Sequence, residues 1–391
     1  MRSSNTSFDV AVVGGGAVGL AVAWRAAQRG LRLVVLERGE PGAATSSVAA
    51  GMIAPVSEAL MSEQRLLRLG LASAAAYPDF IAELEEATGL DTGYLRCGTL
   101  ATARDRDEAE ALERELSMRR ELGLSVRRLR ASEARRLEPA LAPALRLALD
   151  VPDDHVIDPR RLTAVLARAV VRAGAVLRPR TEVAALTLSG DRVTGVELAS
   201  GDRVAADQVL VAAGVWSSAL PGIPEDVRVP LRPVKGQTLR LHDPEGPGLL
   251  TRVLRMLPGY IVPRGDGRYV LGATMEERGL DTTMTAGAVF ELLRDAVELV
   301  PGIGELVIDE LVAGLRPGTP DNAPVIGPGA LRGLQWATGH YRHGILLTPI
   351  TAEIAAGLLA GEESSELAAA FSSERFTGRA ASGPRGLAVA T

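Results

Sequence analysis

The spacing of apolar residues near the start of the chain predicts a strand, a helix and a second strand. Residues 10–13 form a short apolar run rich in β-branched side chains, and residues 33–36 form another. Between them, residues 17–29 carry apolar side chains at helical spacing and stop at Gly30. This order is typical of a βαβ unit.

Farther along, the apolar spacing changes from helical to alternating, which predicts β-hairpins followed by mixed α and β structure. The predicted strands are residues 183–188, 193–198, 204–211, 229–241, 260–263, 268–273 and 306–315, and the predicted helices are residues 105–121, 162–171, 285–300 and 349–359. Asp158 and Thr348 each precede a proline and are expected to cap the helices that follow. No repeat of fixed period and no long linker is present. We therefore predict an α/β fold (α+β overall) in which two domains interleave along the sequence.

Composition and charge exclude several classes of function. The 391 residues are 47% hydrophobic, as in globular proteins, and the net charge of −5 without a block of basic residues argues against nucleic acid as a partner. The single cysteine, Cys97, forms no internal disulfide and no zinc cluster, so we predict no metal and a reducing compartment. Lys235 is the only lysine and hence the only candidate for Schiff-base chemistry.

Membrane insertion is not expected. Residues 10–24 are apolar enough to imitate the hydrophobic region of a signal peptide, but the glycines at 14–16 interrupt them. No later stretch reaches the roughly 18 apolar residues that a membrane-spanning helix needs. We expect a soluble, cytoplasmic protein, and the sequence leaves formation of a homo-oligomer open.

A glycine motif at the first predicted turn indicates a dinucleotide site. Gly14, Gly16 and Gly19 have G-x-G-x-x-G spacing directly after the first strand and at the start of the first helix. They respectively allow a tight turn, close approach of a pyrophosphate and close packing of helix on strand. Glu37, at the end of the second strand, can accept a hydrogen bond from a ribose hydroxyl and would repel the 2′-phosphate of NADP.

The glycine motif serves NAD and FAD alike, and other parts of the chain favour FAD. Residues 45–52 are predicted to form a loop of small residues without a strand pattern, which suits close approach to a large flat ring. Residues 209–216 form a strand ending in small residues, similar to the flavoprotein strand that returns to the nucleotide. We expect the FAD to be non-covalent, because Cys97 is the only thiol that could attach it and lies far in sequence from the carboxyl-terminal residues 314–347.

Five further blocks, combined with the glycine motif, are far more selective than the glycine motif alone. They are residues 47–52, 260–264, 272–275, 314–321 and 337–347. Together with the glycine motif and Glu37-Arg38, they resemble the D-amino acid oxidase superfamily of FAD-dependent oxidoreductases, and within it the glycine oxidase group of the thiamin (thiazole) pathway. The resemblance covers most of the chain.

The resemblance implies a Rossmann-like FAD-binding domain and a second domain whose antiparallel sheet covers the flavin. It assigns residues 1–85, 145–222 and 308–375 to the FAD-binding domain and residues 86–144 and 223–307 to the substrate domain. The Ser/Gly/Ala-rich composition separately predicts that residues 376–391 form a flexible tail. The FAD contacts that it implies are Gly14, Gly16, Gly19, Glu37, Arg38, Ser47, Ala50, Gly51, Met52, Val183, Ala213, Gly214, Trp216, Gly339, Arg342, Gly344 and Ile345.

The resemblance also implies a substrate site. Arg316 would bind the substrate carboxylate, Tyr260 would donate a second hydrogen bond, and Arg342 would lie near the flavin and the amino-acid end. The implied pocket residues are Met52, Tyr260 and Met275. A guanidinium suits the role of Arg316, because its planar donor fork matches a carboxylate and its charge is permanent. Judged by spacing alone, an arginine at the end of a strand before Pro317 is equally compatible with a surface position.

The segment around residue 342 adds an electrostatic expectation. It precedes the predicted helix 349–359, whose positive N-terminus the resemblance places toward the pyrimidine edge of the flavin. There it could stabilise negative charge on the reduced ring. His340 and His343 flank Arg342, and a structural or solvent-facing role is expected for both.

The activity that the resemblance implies is oxidation of glycine or a similarly small amino acid. Hydride passes from Cα to flavin N5, O2 is reduced to H2O2, and the imine hydrolyses to glyoxylate or enters thiazole synthesis. Positioning replaces a side-chain base at Cα. The alternatives are a D-amino acid or N-methyl amino acid (sarcosine) oxidase or dehydrogenase, a non-catalytic flavin-binding subunit, and a nicotinamide dehydrogenase.

Overall fold

Two large β-sheets organise the chain, which a computed structural model describes for residues 7–376. The strands are β1 (Phe8–Val13), β2 (Leu33–Leu36), β3 (Met52–Ile53), β4 (Thr99–Ala103), β5 (Arg127–Arg130), β6 (Leu147–Val151), β7 (His155–Val156), β8 (Val176–Arg178), β9 (Val183–Ser189), β10 (Arg192–Leu198), β11 (Arg203–Val211), β12 (Arg232–His242), β13 (Val253–Arg255), β14 (Tyr260–Pro263), β15 (Arg268–Gly272), β16 (Val307–Gly318), β17 (Val325–Pro328) and β18 (Leu334–Thr338).

Helices cover the faces of these sheets. They are α1 (Ala17–Gln28), α2 (Thr45–Val48), α3 (Gln64–Thr88), α4 (Arg106–Glu121), α5 (Ala131–Leu137), α6 (Pro159–Arg172), α7 (Ala286–Leu299), α8 (Thr348–Leu359) and α9 (Glu366–Ala369). Short 3₁₀ turns span Met61–Glu63, Gly214–Ala219, Glu225–Val227, Pro301–Glu305, Tyr341–His343 and Ser373–Phe376. Within residues 7–376 no helix is both long enough and apolar enough to cross a membrane.

The first sheet has a parallel core of Rossmann type. Its order is β17-β18-β11-β1-β2-β8, with β17 antiparallel at one edge and the β9–β10 hairpin attached to β11. Helices α1, α3, α6 and α8 pack together against one face. The central strands are continuous apolar runs because both of their faces are buried.

The second sheet is antiparallel except for one strand pair. Its order is β16-β12-β15-β14-β13-β4-β6-β5, and only β4 and β13 run parallel. Helix α7 packs against it with an apolar face that includes Leu292 and Leu299. The predicted fold class, a Rossmann-like sheet with a second, largely antiparallel sheet, is therefore confirmed.

The predicted domain division stays a prediction, but strand pairing differs from it in two places. Strands β6 and β16 fall in segments predicted to belong to the FAD-binding domain, and both pair in the second sheet. The reason is tertiary: β6 pairs with β4 and β5, β16 pairs with β12, and these partners all lie in segments predicted to belong to the substrate domain. Apart from Phe376, the predicted tail 376–391 lies outside the described residues.

Three local predictions need correction. The strand predicted to stop at residue 315 continues to Gly318, because β16 is an edge strand and tolerates Pro317. Thr348 does not cap α8; it lies in the first turn of the helix, and its hydroxyl donates to the carbonyl of Gly344. The predicted loop 45–52 contains the short helix α2 and the first residue of β3.

Candidate functional site

A cavity of about 350 Å³ lies at the carboxyl ends of β1, β2 and β11. This edge of a parallel sheet is where α/β folds bind nucleotides. Eight of the predicted FAD contacts line it: Gly14, Gly16, Glu37, Arg38, Val183, Ala213, Gly214 and Trp216. Residues from four separate parts of the chain therefore meet at the predicted nucleotide site.

The glycine turn has the tight packing that its motif predicts. Gly14 has a φ of +111°, and a Cβ there would lie 2.5 Å from the carbonyl oxygen of Ala212. A Cβ on Gly19 would lie 2.1 Å from the carbonyl oxygen of Gly14, so this glycine permits helix-to-strand contact and does not line the cavity. Gly16 is the N-cap of α1 and has no side chain to occupy the helix N-terminus.

Glu37 and Arg38 form part of the wall of the first cavity, directly after β2. The Glu37 carboxylate accepts hydrogen bonds from the backbone N–H groups of Gly15 at 2.7 Å and Gly39 at 2.9 Å. It therefore fixes the glycine turn as well as facing the cavity. The Arg38 guanidinium stacks on the Trp216 ring at 3.8 Å from its centroid, which makes a flat, polarisable surface at this end.

A second cavity, of about 330 Å³, continues from the first toward the antiparallel sheet. The two cavities share the wall formed by residues 17–18, 45–46 and 340. The predicted residues that line the second cavity are Ala50, Gly51, Met52, Tyr260, Met275, Arg316, Arg342, Gly344 and Ile345. An elongated site thus runs from the Rossmann-like sheet to the strands that carry Tyr260 and Arg316.

Arg316 presents a cation to this cavity without an acidic partner. Its Nη1 donates to the carbonyl oxygens of Thr274 at 3.1 Å and Lys235 at 3.4 Å. Among residues 7–376 no carboxylate oxygen lies within 4 Å of its guanidinium. Gly236 on β12 lets the guanidinium lie flat against the sheet, because a Cβ there would be 2.4 Å from Nη1. Such a partly sheltered guanidinium is suited to bind a carboxylate ligand.

Tyr260 lies beside Arg316 on the same sheet. Burial raises the pKa of the Tyr260 hydroxyl, and the nearby Arg316 charge opposes this only in part, so the hydroxyl stays protonated and can donate. The Thr238 hydroxyl on β12 also lines the cavity and is buried without a hydrogen-bond partner among the described residues. These two hydroxyls and the Arg316 fork form a polar patch for a small anionic group.

Arg342 differs from Arg316 because acidic side chains surround it. Its Nη2 is 3.0 Å from the Glu63 carboxylate, and its Nε is 3.8 Å from Glu58. Nε also donates to Nε2 of His343 at 3.1 Å. Arg342 is therefore held in an ion-pair network at the cavity wall, whereas Arg316 keeps an open face.

Glu58 is an acidic group in the cavity that sequence reasoning missed. It lines the same cavity as Arg316, and its carboxylate accepts no hydrogen bond from a described residue, although it lies 3.5 Å from Nδ1 of His343. Its position is fixed by the two preceding residues, Val56 and Ser57. Their N–H groups donate to the Asp154 carboxylate, and their carbonyls accept from Arg119.

The two histidines near Arg342 are neutral structural groups. Burial lowers the pKa of His340 to about 3, with a smaller contribution from His343. Burial, followed by the Arg342 charge, lowers the pKa of His343 to about 3. Nε2 of His340 lies 3.0 Å from the Thr351 hydroxyl, which ties the loop to α8. A structural or solvent-facing role was expected for both, and because both rings are buried, only the structural role fits.

Two other predicted candidates lie away from the cavities. Lys235 is fully buried, and its ammonium binds the Asp281 carboxylate at 2.8 Å, so it is not available for Schiff-base chemistry. Cys97 packs among apolar side chains and lines neither cavity; burial raises the pKa of its thiol to about 11.

Met275, a predicted pocket residue, lies at the rim of the second cavity. Its side chain is 67% exposed, and its sulfur accepts a hydrogen bond from the Tyr341 hydroxyl at 2.9 Å.

Two predicted FAD contacts besides Gly19 do not line the cavities. Ser47 directs its hydroxyl to the carbonyls of Ala43 and Ala44, and it is the neighbouring Ser46 that accepts from the N–H of Ala17 and lines both cavities. Gly339 has a φ of +75° and shapes the turn after β18. Ser46 adjoins the small-residue block, so the sequence held a signal for it; Glu58 carries no such motif.

The residues present fit a flavin dinucleotide. The N-cap residue of α1, Gly16, has no side chain, and the helix N-terminus supplies backbone donors and a positive dipole end for a pyrophosphate; one of its N–H groups, that of Ala17, donates to the Ser46 hydroxyl. Small residues at 49–51 leave room for a flat ring at the wall of the second cavity. No group of three or more side chains within residues 7–376 could hold a metal ion.

Comparisons with known proteins agree with this geometry. The family model described as "FAD dependent oxidoreductase" (DAO) matches residues 9–358. The chain is 37% identical to glycine oxidase of Geobacillus kaustophilus over 374 residues, 95% of this chain and 98% of that protein. It is 35% identical to the bifunctional protein ThiO/ThiG of Synechocystis sp., covering 95% of this chain and 54% of that protein. The crystal structure of the Geobacillus kaustophilus glycine oxidase superposes with a TM-score of 0.87 at 36% identity, covering 94% and 98% of the two chains.

Proposed function

Because the chain belongs to the DAO family of FAD-dependent oxidoreductases, we propose that it oxidises glycine or a similarly small amino acid with O2 as the electron acceptor. The observation that carries this proposal is the Arg316 guanidinium, which faces the second cavity beside the Tyr260 hydroxyl without an acidic partner among the described residues. Glycine as the substrate is supported by the similarity to the Geobacillus kaustophilus glycine oxidase and to the ThiO/ThiG protein of Synechocystis sp..

In this proposal the polar groups of the cavity hold the two ends of a zwitterion. Arg316 and Tyr260 bind the carboxylate, since a guanidinium fork and a neutral hydroxyl both donate. The Glu58 carboxylate, which accepts no hydrogen bond from described residues, faces the ammonium end. Held at both ends, the amino acid has its Cα fixed between them, and such positioning is worth several kcal/mol of barrier.

The flavin supplies the chemistry when bound: it accepts a hydride from Cα and passes the electrons to O2, giving H2O2. Residues of this chain would hold it non-covalently, the glycine turn at the pyrophosphate and residues 49–52 along the ring. Water is excluded on one side by the second sheet, whose strands β12, β14 and β16 carry the substrate-binding groups. The imine product leaves for hydrolysis to glyoxylate or for thiazole synthesis.

A place in thiamin biosynthesis is part of the proposal. The Synechocystis sp. relative joins ThiO to ThiG in one polypeptide, and this chain aligns with 54% of it. A cytoplasmic location is proposed as well, supported by the single unpaired thiol, Cys97.

Anaerobic reduction by glycine tests the activity. The purified, FAD-loaded protein is mixed with glycine under nitrogen, and the flavin absorbance near 450 nm is expected to bleach and to return with H2O2 when air is admitted. No bleaching with glycine, sarcosine or D-alanine would refute an amino acid oxidase and favour a non-catalytic flavin-binding subunit. Faster bleaching with sarcosine or D-alanine would assign the site to the N-methyl or D-amino acid alternative. Bleaching without peroxide in air would indicate a dehydrogenase.

A further inference from the structure

The cavity wall formed by residues 49–51 is held from behind by a guanidinium. Arg264 follows β14, and its Nη1 and Nη2 donate to the carbonyl oxygens of Ile157 and Ala50, each at 2.8 Å. Its Nε is buried without a hydrogen-bond partner, and no carboxylate among residues 7–376 lies within 4 Å of its guanidinium. Burial lowers the pKa of Arg264 to about 10, so the group remains a cation at neutral pH.

The hydrogen bond from Arg264 to the Ile157 carbonyl replaces one backbone hydrogen bond beside the β3–β7 strand pair. In a regular antiparallel ladder, two hydrogen-bonded residues that face each other exchange both N–H···O bonds. Gly51 faces Ile157 next to the β3–β7 pair, and the N–H of Ile157 donates to the carbonyl of Gly51 at 2.9 Å. The reciprocal bond is absent: Arg264 contacts the Ile157 carbonyl, and the Gly51 N–H has no partner among the described residues.

The peptide unit that joins Ala50 to Gly51 then aims a donor at the cavity. In a trans peptide, the C=O and N–H groups point in opposite directions. Since Arg264 holds the Ala50 carbonyl on the side away from the cavity, the Gly51 N–H points toward the side on which Gly51 lines it. Gly51 is required for this conformation, because its φ is +81° and a Cβ would lie 1.9 Å from the Ile157 carbonyl oxygen.

We propose that Arg264 is a positioning residue for the flavin. By holding the Ile157 and Ala50 carbonyls, it directs the Gly51 N–H to the flavin ring and keeps one positive charge without an ion-pair partner behind the 49–51 wall. A buried N–H needs a partner, and an aromatic ring that gains negative charge on reduction supplies one. The inference rests on the flavin of the proposed function, and it predicts that Arg264 raises the electron affinity of that flavin.

The test compares three variants of the FAD-loaded protein. Arg264→Gln removes the charge. Arg264→Lys keeps the charge but cannot donate to both carbonyls through a planar guanidinium, and Arg268→Gln is the control. Arg268 lies in the next strand, β15, and pairs with Asp266 at 2.6 Å instead of holding residues 49–51. Each protein is measured by dye-coupled potentiometry and by titration with sulfite, which adds to electron-poor flavins.

We expect Arg264→Gln to lower both the sulfite affinity and the reduction equilibrium constant about tenfold, which for a two-electron couple is about 30 mV. Arg264→Lys should fall between the parent and Arg264→Gln, and Arg268→Gln should stay within twofold of the parent. A sulfite affinity and potential within twofold of the parent in Arg264→Gln would overturn the proposal, and so would an equal loss in Arg268→Gln. If Arg264→Gln does not retain FAD, a sulfite affinity and a reduction potential in Arg264→Lys within twofold of the parent would overturn the proposal.

The same measurements separate this inference from the proposed function. Potential and sulfite affinity require no amino acid substrate, so they remain informative if glycine fails to reduce the flavin. The KM for glycine is expected to stay within twofold of the parent in both Arg264 variants, because Arg264 does not line the cavity. A large rise in KM with an unchanged potential would instead place Arg264 in substrate binding.

Discussion

Replacing Gly236 with alanine tests the placement of Arg316 without touching its charge. Gly236 lies on β12 beneath the Arg316 guanidinium, and its φ is outside the left-handed region, so the backbone accepts alanine. A Cβ there would lie 2.4 Å from Nη1 and 2.6 Å from Cζ of Arg316. Since the guanidinium is the end of a flexible side chain, it is the group that moves.

The contact distances give the size of the effect. To restore an ordinary contact of 3.4 Å, the guanidinium must retreat by about 1 Å from the floor of the cavity. A misplacement of about 1 Å costs on the order of 10²-fold in rate when it separates a binding group from its target. We therefore expect Gly236→Ala to lower kcat/KM for glycine about 100-fold, equivalent to about 2.7 kcal/mol.

Initial rates of H2O2 formation over a range of glycine concentrations measure this loss. The matched control is Gly287→Ala, another glycine-to-alanine change, at the exposed start of α7. A Cβ on Gly287 would meet no atom within 4 Å. Its kcat/KM is expected to equal that of the parent. Melting temperatures of both variants show whether a rate loss reflects unfolding.

A double variant decides whether Gly236 acts through Arg316. Arg316→Ala alone should weaken productive binding by roughly 2 to 4 kcal/mol, because it removes a sheltered charge partner of the substrate. In that background, Gly236→Ala has no guanidinium to displace and should cost nothing further. Additive losses, or a Gly236→Ala enzyme with unchanged kcat/KM, would refute the placement of Arg316 at the substrate carboxylate.

Three further predictions concern other groups of the site. Glu58→Gln should raise the KM for glycine about tenfold with a smaller change in kcat, since about 1.4 kcal/mol of attraction for the ammonium is lost; a KM within twofold would remove Glu58 from substrate binding. Glu37→Ala should weaken FAD binding more than it alters kcat of the loaded enzyme, because the carboxylate holds the N–H of Gly15, and cofactor-release titration checks this. The lowered pKa of His343 means that only the unfolded state takes up its proton as the pH falls from 6.5 toward 3, so its contribution to stability is full above pH 6.5 and declines toward acid by at most about 1.4 kcal/mol per pH unit. Urea unfolding of His343→Asn should therefore show a shallower loss of stability between pH 7 and pH 5; equal slopes would contradict a buried neutral His343.

Local patterns predicted the elements that form with near neighbours. The first strand, helix and second strand follow directly from apolar spacing and the glycine motif, and Asp158 caps α6 as its position before Pro159 indicates. The hairpins around residues 190 and 201 follow from alternating side chains and Gly-Asp turns. In these cases, the residues that determine the element lie within the element itself.

Long-range pairing determined what the sequence did not predict. The parallel contact of β4 with β13 joins residues about 150 positions apart, and no local signal marks it. Helix α3 is an exception, because its signal is local: Leu69, Tyr77 and Leu84 have helical spacing and are buried, yet no helix was predicted there.

The site likewise combines residues that local motifs predict with residues that only the tertiary fold brings together. Arg316 and Tyr260 carry motifs, but the role of Glu58 depends on a fold that brings it to the same cavity. The open face of Arg316, in contrast to the ion-paired Arg342, is likewise a tertiary property.

The burial of Lys235 has a practical consequence for handling the protein. As the chain's only lysine, it is fully buried and bound to Asp281. Reagents that couple to side-chain amines, such as succinimidyl esters and glutaraldehyde, therefore find no accessible lysine on the folded surface. Immobilisation or chemical crosslinking should use carboxyl-directed carbodiimides or arginine-directed dicarbonyls, and a reaction at Lys235 itself would report that the β12 region has opened.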